Sequence, residues 1–104
     1  MAKGERAKPH GPGQPEATQL FRLLGEPTRL RIALLLADAG EMHSRALEGR
    51  LGLSQPLMSV HLKWLRQGGL VESRQEGNRH YHRLATPVVA NLLRLACDRA
   101  GEGK

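Results

Sequence analysis

A single cysteine, Cys97, stands in the whole sequence. One thiol excludes a disulfide framework and any thiolate-pair metal site within one chain. No apolar run approaches the roughly 18 residues that a membrane-crossing helix needs. The opening "MAKGERAKPHGPGQPEA" carries charge but no hydrophobic segment, so a signal peptide is not expected there and the cytoplasm is the expected compartment. A Ser/His/Asp arrangement, a glycine-rich phosphate loop and paired carboxylates are all missing, which speaks against an enzyme. Aromatic residues are scarce too, and Trp64 and Tyr81 read as packing residues rather than stacking platforms. Acid is scarce in one region above all. Between Leu53 and Leu84 only Glu72 and Glu76 stand against Lys63, Arg66, Arg74, Arg79 and Arg83.

What is present is basic. Lys and Arg number 16 against 10 Asp and Glu in 104 residues, a formal net charge of +6. A small basic protein attracts polyanions, nucleic acid before an anionic membrane surface. The length suits one domain with a small core, which a dimer interface would help to stabilise.

Residues 1–15 hold three Pro and three Gly among scattered basic residues and show no apolar period, so they read as a flexible basic arm. Residues 16–100 read as one domain, and 101–104, "GEGK", as a frayed end. Within the domain, Leu20, Phe21, Leu23 and Leu24 mark a short amphipathic helix ended by Gly25. Pro27 opens a second helix, apolar nearly all round and therefore expected at the centre, which Gly40 stops. "EMH" suits a brief extended segment. Ser44 is placed as the N-cap of a short helix ending at Gly52, and Ser54 as the N-cap of another that runs to about Gln67. Two short helices joined by a tight turn are a helix-turn-helix pattern. Leu70–Gln75 and Arg79–Leu84 follow as a hairpin about Gly77-Asn78, and Pro87 opens a last helix. The expected fold is mainly α with a small β-hairpin, in the order α-α-(β)-α-α-β-β-α.

On a helical wheel of residues 54–67, Met58, His61, Leu62 and Leu65 share the core face, with Leu57 at its margin. Pro56, Ser59, Val60, Lys63 and Gln67 lie opposite, with Arg66 on one flank. A helix entering the major groove needs such a face: small residues for close approach, hydroxyl and amide groups for base edges, and basic groups for phosphate. A solvated amphipathic helix has the same profile, and the adjoining basic hairpin decides between the two. Arg74, Arg79 and Arg83 around the Gly-Asn tip suit a wing lying along DNA. Ser54, Gln55, Pro56, Ser59, Val60, Lys63, Arg74 and Arg79 are accordingly the expected contacts to double-stranded DNA. The acid is missing because the partner is acid.

"LLGEPTRLRIALLL" and "LGLSQPLMSVHLKWLRQGGLVESRQEGNRHYHRL" resemble two motifs of the ArsR family of bacterial winged-helix regulators, a likeness that covers about Ala17 to Leu95. The resemblance implies a homodimer joined by the first and last helices, with Leu20, Leu24, Val89, Leu92, Leu93 and Ala96 at the interface. It further implies repression of transcription from a palindromic promoter site, with release by an inducer. Metal-sensing members carry a Cys-x-Cys pair before the recognition helix, where this chain has "EMHSRALEGRLG" and no cysteine. Others place Asp and His ligands along the last helix, where Asn91, Cys97, Asp98 and Glu102 stand without a histidine.

The inducer therefore stays open between a metal ion, a redox signal and a partner protein. Nitrogen and oxygen donors (His43, His80, His82, Asp98, Glu102) would favour nickel or zinc over arsenite or cadmium. His80 and His82, two apart on a strand, point to one side, and either they bind an ion with a third ligand or they serve near phosphate. His61 reads as structural, and Cys97 as a buried small hydrophobe, a redox-active thiol or a ligand. A winged-helix module that acts mainly through a partner protein is the alternative function.

Overall fold

A proline that lacks an N–H and a carboxylate that accepts one start the helix on which everything else is assembled. Pro27 opens α2 (Pro27–Ala39), and Glu26 caps it by accepting the Arg29 N–H at 2.8 Å. Ile32, Ala33 and Leu36 of α2 are fully buried, as a helix apolar on most sides requires. Around it lie α1 (Ala17–Leu24), β1 (Met42–His43), α3 (Ser44–Leu51), α4 (Gln55–Gln67), β2 (Val71–Glu76), β3 (Arg79–Leu84) and α5 (Pro87–Glu102). This computed structural model describes residues 17–102, with side chains to residue 97. The expected arm, residues 1–15, and residues 103–104 of the expected frayed end lie outside the described residues. The last helix continues two residues beyond the expected domain end at 100.

The strands form one antiparallel sheet in the order β1-β3-β2. Met42 pairs with His82 and His43 with Tyr81, so the brief "EMH" segment ties the entry of α3 to the hairpin. The hairpin runs in register from Val71 opposite Leu84 to Glu76 opposite Arg79. Its two-residue turn has Gly77 at φ 62° and Asn78 at negative φ, the arrangement of a type II′ turn, which suits the twist of the flanking strands. The Ala85 N–H donates to the Leu70 carbonyl at 2.8 Å and closes the base. Gly68, after α4, leaves room for α1, because a Cβ there would force the Leu23 side chain to shift.

The core holds Leu23, Leu24, Ile32, Ala33, Leu36, Leu47, Met58, Leu62, Leu65, Leu70, Val71, Val89 and Leu93. Three residues expected at a dimer interface are thus corrected. Leu24, Val89 and Leu93 pack inside the single chain, because α5 lays its Val89–Leu93 stripe against α2 and α1, packed on the same helix, buries Leu24 in the core. Cys97 continues that stripe one turn later and is half-buried. A second stripe on α5 faces outward: Val88 is 68 % exposed and Leu95 67 %, with Leu92 half-buried and Ala96 exposed beside them. Phe21 is exposed on α1, next to half-buried Leu20.

Candidate nucleic-acid interface

The Ser54 Oγ accepts the Leu57 N–H at 3.4 Å, and Pro56 in the first turn sacrifices no hydrogen bond. Met58, Leu62 and Leu65 then anchor α4 in the core and leave the rest of its surface outward. That surface has two unlike sectors. On the wing side, Gln55, Ser59 and Arg66 line an open cleft of about 870 Å³. Arg45 and Glu48 of α3 form a second wall, and Asn78, Arg79 and His80 at the hairpin tip a third. Lys63 is exposed one turn beyond Ser59. On the far side, Leu57, Val60 and Trp64 are about half exposed and make an apolar flank. Val60, expected at the DNA face, belongs with this flank, while Pro56 is exposed at the helix start.

The ion pairs among the described residues lie away from the cleft, and Arg45, Lys63, Arg66 and Arg79 form none with a described carboxylate. Glu48 is the acid of the cleft lining.

Arg74, expected to contact DNA, is placed differently. Strand alternation turns it to the opposite face of the hairpin from His80 and His82, beside Tyr81 and Arg83. Its Nη2 and Nε donate to the two Glu41 carboxylate oxygens at 2.9 and 3.1 Å, and its Nη1 to Glu76 at 2.7 Å. The guanidinium also lies 4.6 Å from the centroid of the Tyr81 ring. These carboxylates raise the Arg74 pKa further, and the bond from Arg74 holds Glu41 below the usual carboxylate range. Arg83 is bound likewise to Glu72 at 3.0 Å. The sequence shows the charge of these arginines but not the parity of the strand that carries them.

His82 is buried, 3 % exposed, on the cleft side of β3. Its Nε2 lies 2.8 Å from the Ser44 Oγ and its Nδ1 2.7 Å from the Ser73 Oγ. Burial, with the nearby charges of Arg66 and His80, pushes its pKa down to about 4, so the ring is neutral near pH 7. A neutral imidazole has one N–H, so one serine accepts from the ring and the other donates to it. Ser44 therefore does not cap α3 as expected. His43 occupies the cap position without a side-chain bond, and its ring meets Tyr81 edge-on at 5.9 Å.

The candidate metal donors among the described residues do not assemble. Among the described residues no three His, Cys, Asp or Glu side chains converge as a metal site, and both His82 nitrogens already have partners. The side chains of Asp98 and Glu102 fall outside the described residues. His61 is half-buried, with its Nδ1 3.8 Å from Glu26, in keeping with a packing role. Arg45 and Asn78 are cleft residues that the sequence reading does not name as contacts, and His80, weighed there as an ion ligand or a residue near phosphate, lines the cleft with them. Their signal lay in "EMH", since pairing it with the hairpin brings the start of α3 beside the tip.

Comparison with known proteins agrees with this architecture. Residues 26–73 match the family described as "Bacterial regulatory protein, arsR family". The arsenical resistance operon repressor of Escherichia coli is 42 % identical over 72 residues, 69 % of this chain and 62 % of its own length. The transcriptional activator HlyU of Vibrio cholerae is 35 % identical over 80 residues, 77 % of this chain and 73 % of its own. A solved HlyU structure superimposes with a TM-score of 0.73, covering 77 % of this chain and 86 % of that one. A homodimeric winged helix-turn-helix DNA-binding domain from Mycobacterium bovis gives 0.72 at 36 % identity, covering 82 % of this chain and 78 % of its own.

Proposed function

This chain belongs to the arsR family of bacterial regulatory proteins, and from that premise we propose that it represses transcription by occupying a palindromic promoter site as a homodimer. The observation that carries the proposal is the cleft between α4 and the hairpin tip, where Arg45, Arg66 and Arg79 stand with Glu48 as the one described acid of the lining and form no ion pair with a described carboxylate. Gln55 and Ser59 supply hydrogen bonds to base edges, Lys63 and Arg66 neutralise phosphate, and Arg79 with His80 follows the backbone from the wing. Ser54 and Pro56 bring the start of the helix close to the duplex. Arg74 supports the wing from its other face.

The outer stripe of α5 (Val88, Leu92, Leu95, Ala96), with Leu20 and Phe21 of α1, is the proposed dimer seam. Its exposed apolar surface supports this reading, as does the homodimeric relative from M. bovis. Two recognition helices related by a twofold axis meet an inverted repeat about one helical turn apart. Release by an inducer (a divalent metal such as nickel or zinc, a redox signal at Cys97, or a partner protein) completes the reading.

Binding to an inverted-repeat duplex, titrated against salt, tests it. Lys63→Ala is expected to weaken binding to all sequences alike and to flatten the log–log salt slope by about one unit. Leu95→Glu is expected to give a folded monomer, since it puts a charge in the seam but none in the core. A slope unchanged by Lys63→Ala, or a parent protein already monomeric at micromolar concentration, would contradict the respective part. The apolar flank Leu57–Val60–Trp64 favours a second reading, a module that acts chiefly by docking another protein. Salt-insensitive association with DNA would turn the choice that way.

A further inference from the structure

The DNA-facing groups stand on two bodies, the α3–α4 pair and the hairpin tip. Their use together depends on the distance between them. Apolar packing fixes the base of the hairpin, where Leu70 and Val71 are buried, but β2 is exposed at every residue beyond Val71. On β3 the side chain buried farthest toward the tip is His82, three residues from Arg79. On the outer face the Arg74–Glu41 pair and the Tyr81–His43 ring contact tie the hairpin to the segment before α3. On the cleft face the outer half of the wing is held by a buried polar joint at His82. That joint spans three elements, because Ser44 begins α3, Ser73 lies on β2 and the ring comes from β3. Apolar contact is non-directional, whereas two hydrogen bonds on opposite sides of one ring fix both its distance and its tilt. The β1–β3 ladder spans only Met42 and His43, so it holds the strand along its axis and leaves its rotation to side chains.

We propose that His82 is a positioning residue for DNA binding: bridged between Ser44 and Ser73, it sets the separation of the wing tip from the recognition helix. It thereby places Arg79 where it reaches the backbone while α4 is in the groove. The inference rests on the DNA-binding reading above. It explains a buried polar ring in a place where an aliphatic side chain would fill the space. Broken hydrogen bonds would let the tip swing, and Arg79 would then contribute at a lower effective concentration.

The test is a double-mutant cycle on the full chain, with a fluorescent duplex of mixed sequence at low salt as the probe. Arg79→Ala is made in the parent, in Ser73→Ala and in His82→Phe. In the parent it is expected to lower affinity by about tenfold, and in either joint variant by less than about twofold. Lys63→Ala should cost the same in all three backgrounds, because α4 does not move. A purely structural role would lower the melting temperature and leave the Arg79→Ala loss unchanged, and that result overturns the proposal. Ser73→Ala removes one hydroxyl from an exposed strand position, so the cycle stands even where His82→Phe does not fold. A parent without salt-dependent binding would defeat the underlying reading, and a parent insensitive to Arg79→Ala would defeat the positioning role alone.

Discussion

Helix α4 directs Lys63 and Arg66 outward without an ion pair to any described carboxylate, whereas the β2–β3 hairpin folds Arg74 onto Glu41 and Glu76, and Arg83 onto Glu72. The two regions are adjacent and both are basic, yet they put their charge to different uses. On the helix, the 100° step between residues spreads Ser59, Lys63 and Arg66 over a sector clear of the core. On the hairpin, the two-residue period sends Arg74, Tyr81 and Arg83 to one face and His80 with His82 to the other. The stem arginines stiffen the wing, and its tip alone offers positive charge to a polyanion. Charge available for binding is therefore smaller than charge counted: strand parity turns Arg74 and Arg83 away from the cleft, whereas Arg79, of the same parity but next to the turn, lines it.

The joint between the two regions gives the largest expected effect. The folded-state pKa of His82, about 4, lies below the ordinary 6.5. Between those values the unfolded chain binds a proton that the folded chain does not, so stability rises with pH across that window. The His82 contribution is complete above about pH 6.5 and is lost as pH falls towards 4, on the order of 3 kcal/mol in all. Urea denaturation measured across this range in the parent and in His82→Phe checks it, and the variant should show a flatter dependence. Equal slopes would show that the ring is protonated in the folded state.

A smaller effect divides the helix from the stem. Arg66→Ala is expected to weaken DNA binding about tenfold at moderate salt, and Arg74→Ala or Arg83→Ala by less than about twofold. Fluorescence anisotropy on one inverted-repeat duplex compares the three. A loss at Arg74 as large as that at Arg66 would mean that its ion pairs open in the complex.

Much of this division was legible before the structure. Ser54, Pro56 and the paired Gly68-Gly69 delimit α4, and the apolar period assigns Met58, Leu62 and Leu65 to the core, because local rules act there within one turn of helix. Gly77-Asn78 and the flanking segments likewise give the hairpin. Long-range partners were not legible. That Glu41 reaches Arg74, 33 residues away, depends on β1 pairing with β3. That Ser44 binds His82 rather than capping α3 depends on the same pairing. The inner and outer stripes of α5 have similar composition, and only packing against α2 distinguishes Val89 and Leu93 from Val88 and Leu95. The sector of α4 nearest the wing was not legible for a related reason: the wheel gives the side opposite the core, where Val60 lies, and not the side that lines the cleft.

The smallest expected effect is also the one that separates counted charge from available charge. Glu41→Gln keeps the size of the side chain but removes the carboxylate that binds Arg74 at two oxygens. Arg74 retains Glu76 and the Tyr81 ring, so the wing should keep its shape. One negative charge disappears from the hairpin's outer face, and the local field becomes more positive. DNA affinity should then rise by roughly two- to threefold at low salt, and the gain should fade towards 0.2 M as the charges are screened. A persistent gain at high salt would indicate a new direct contact by Arg74. A loss of affinity would mean that the Glu41–Arg74 pair holds the wing in its binding position, and the stem would then share the positioning role assigned to His82.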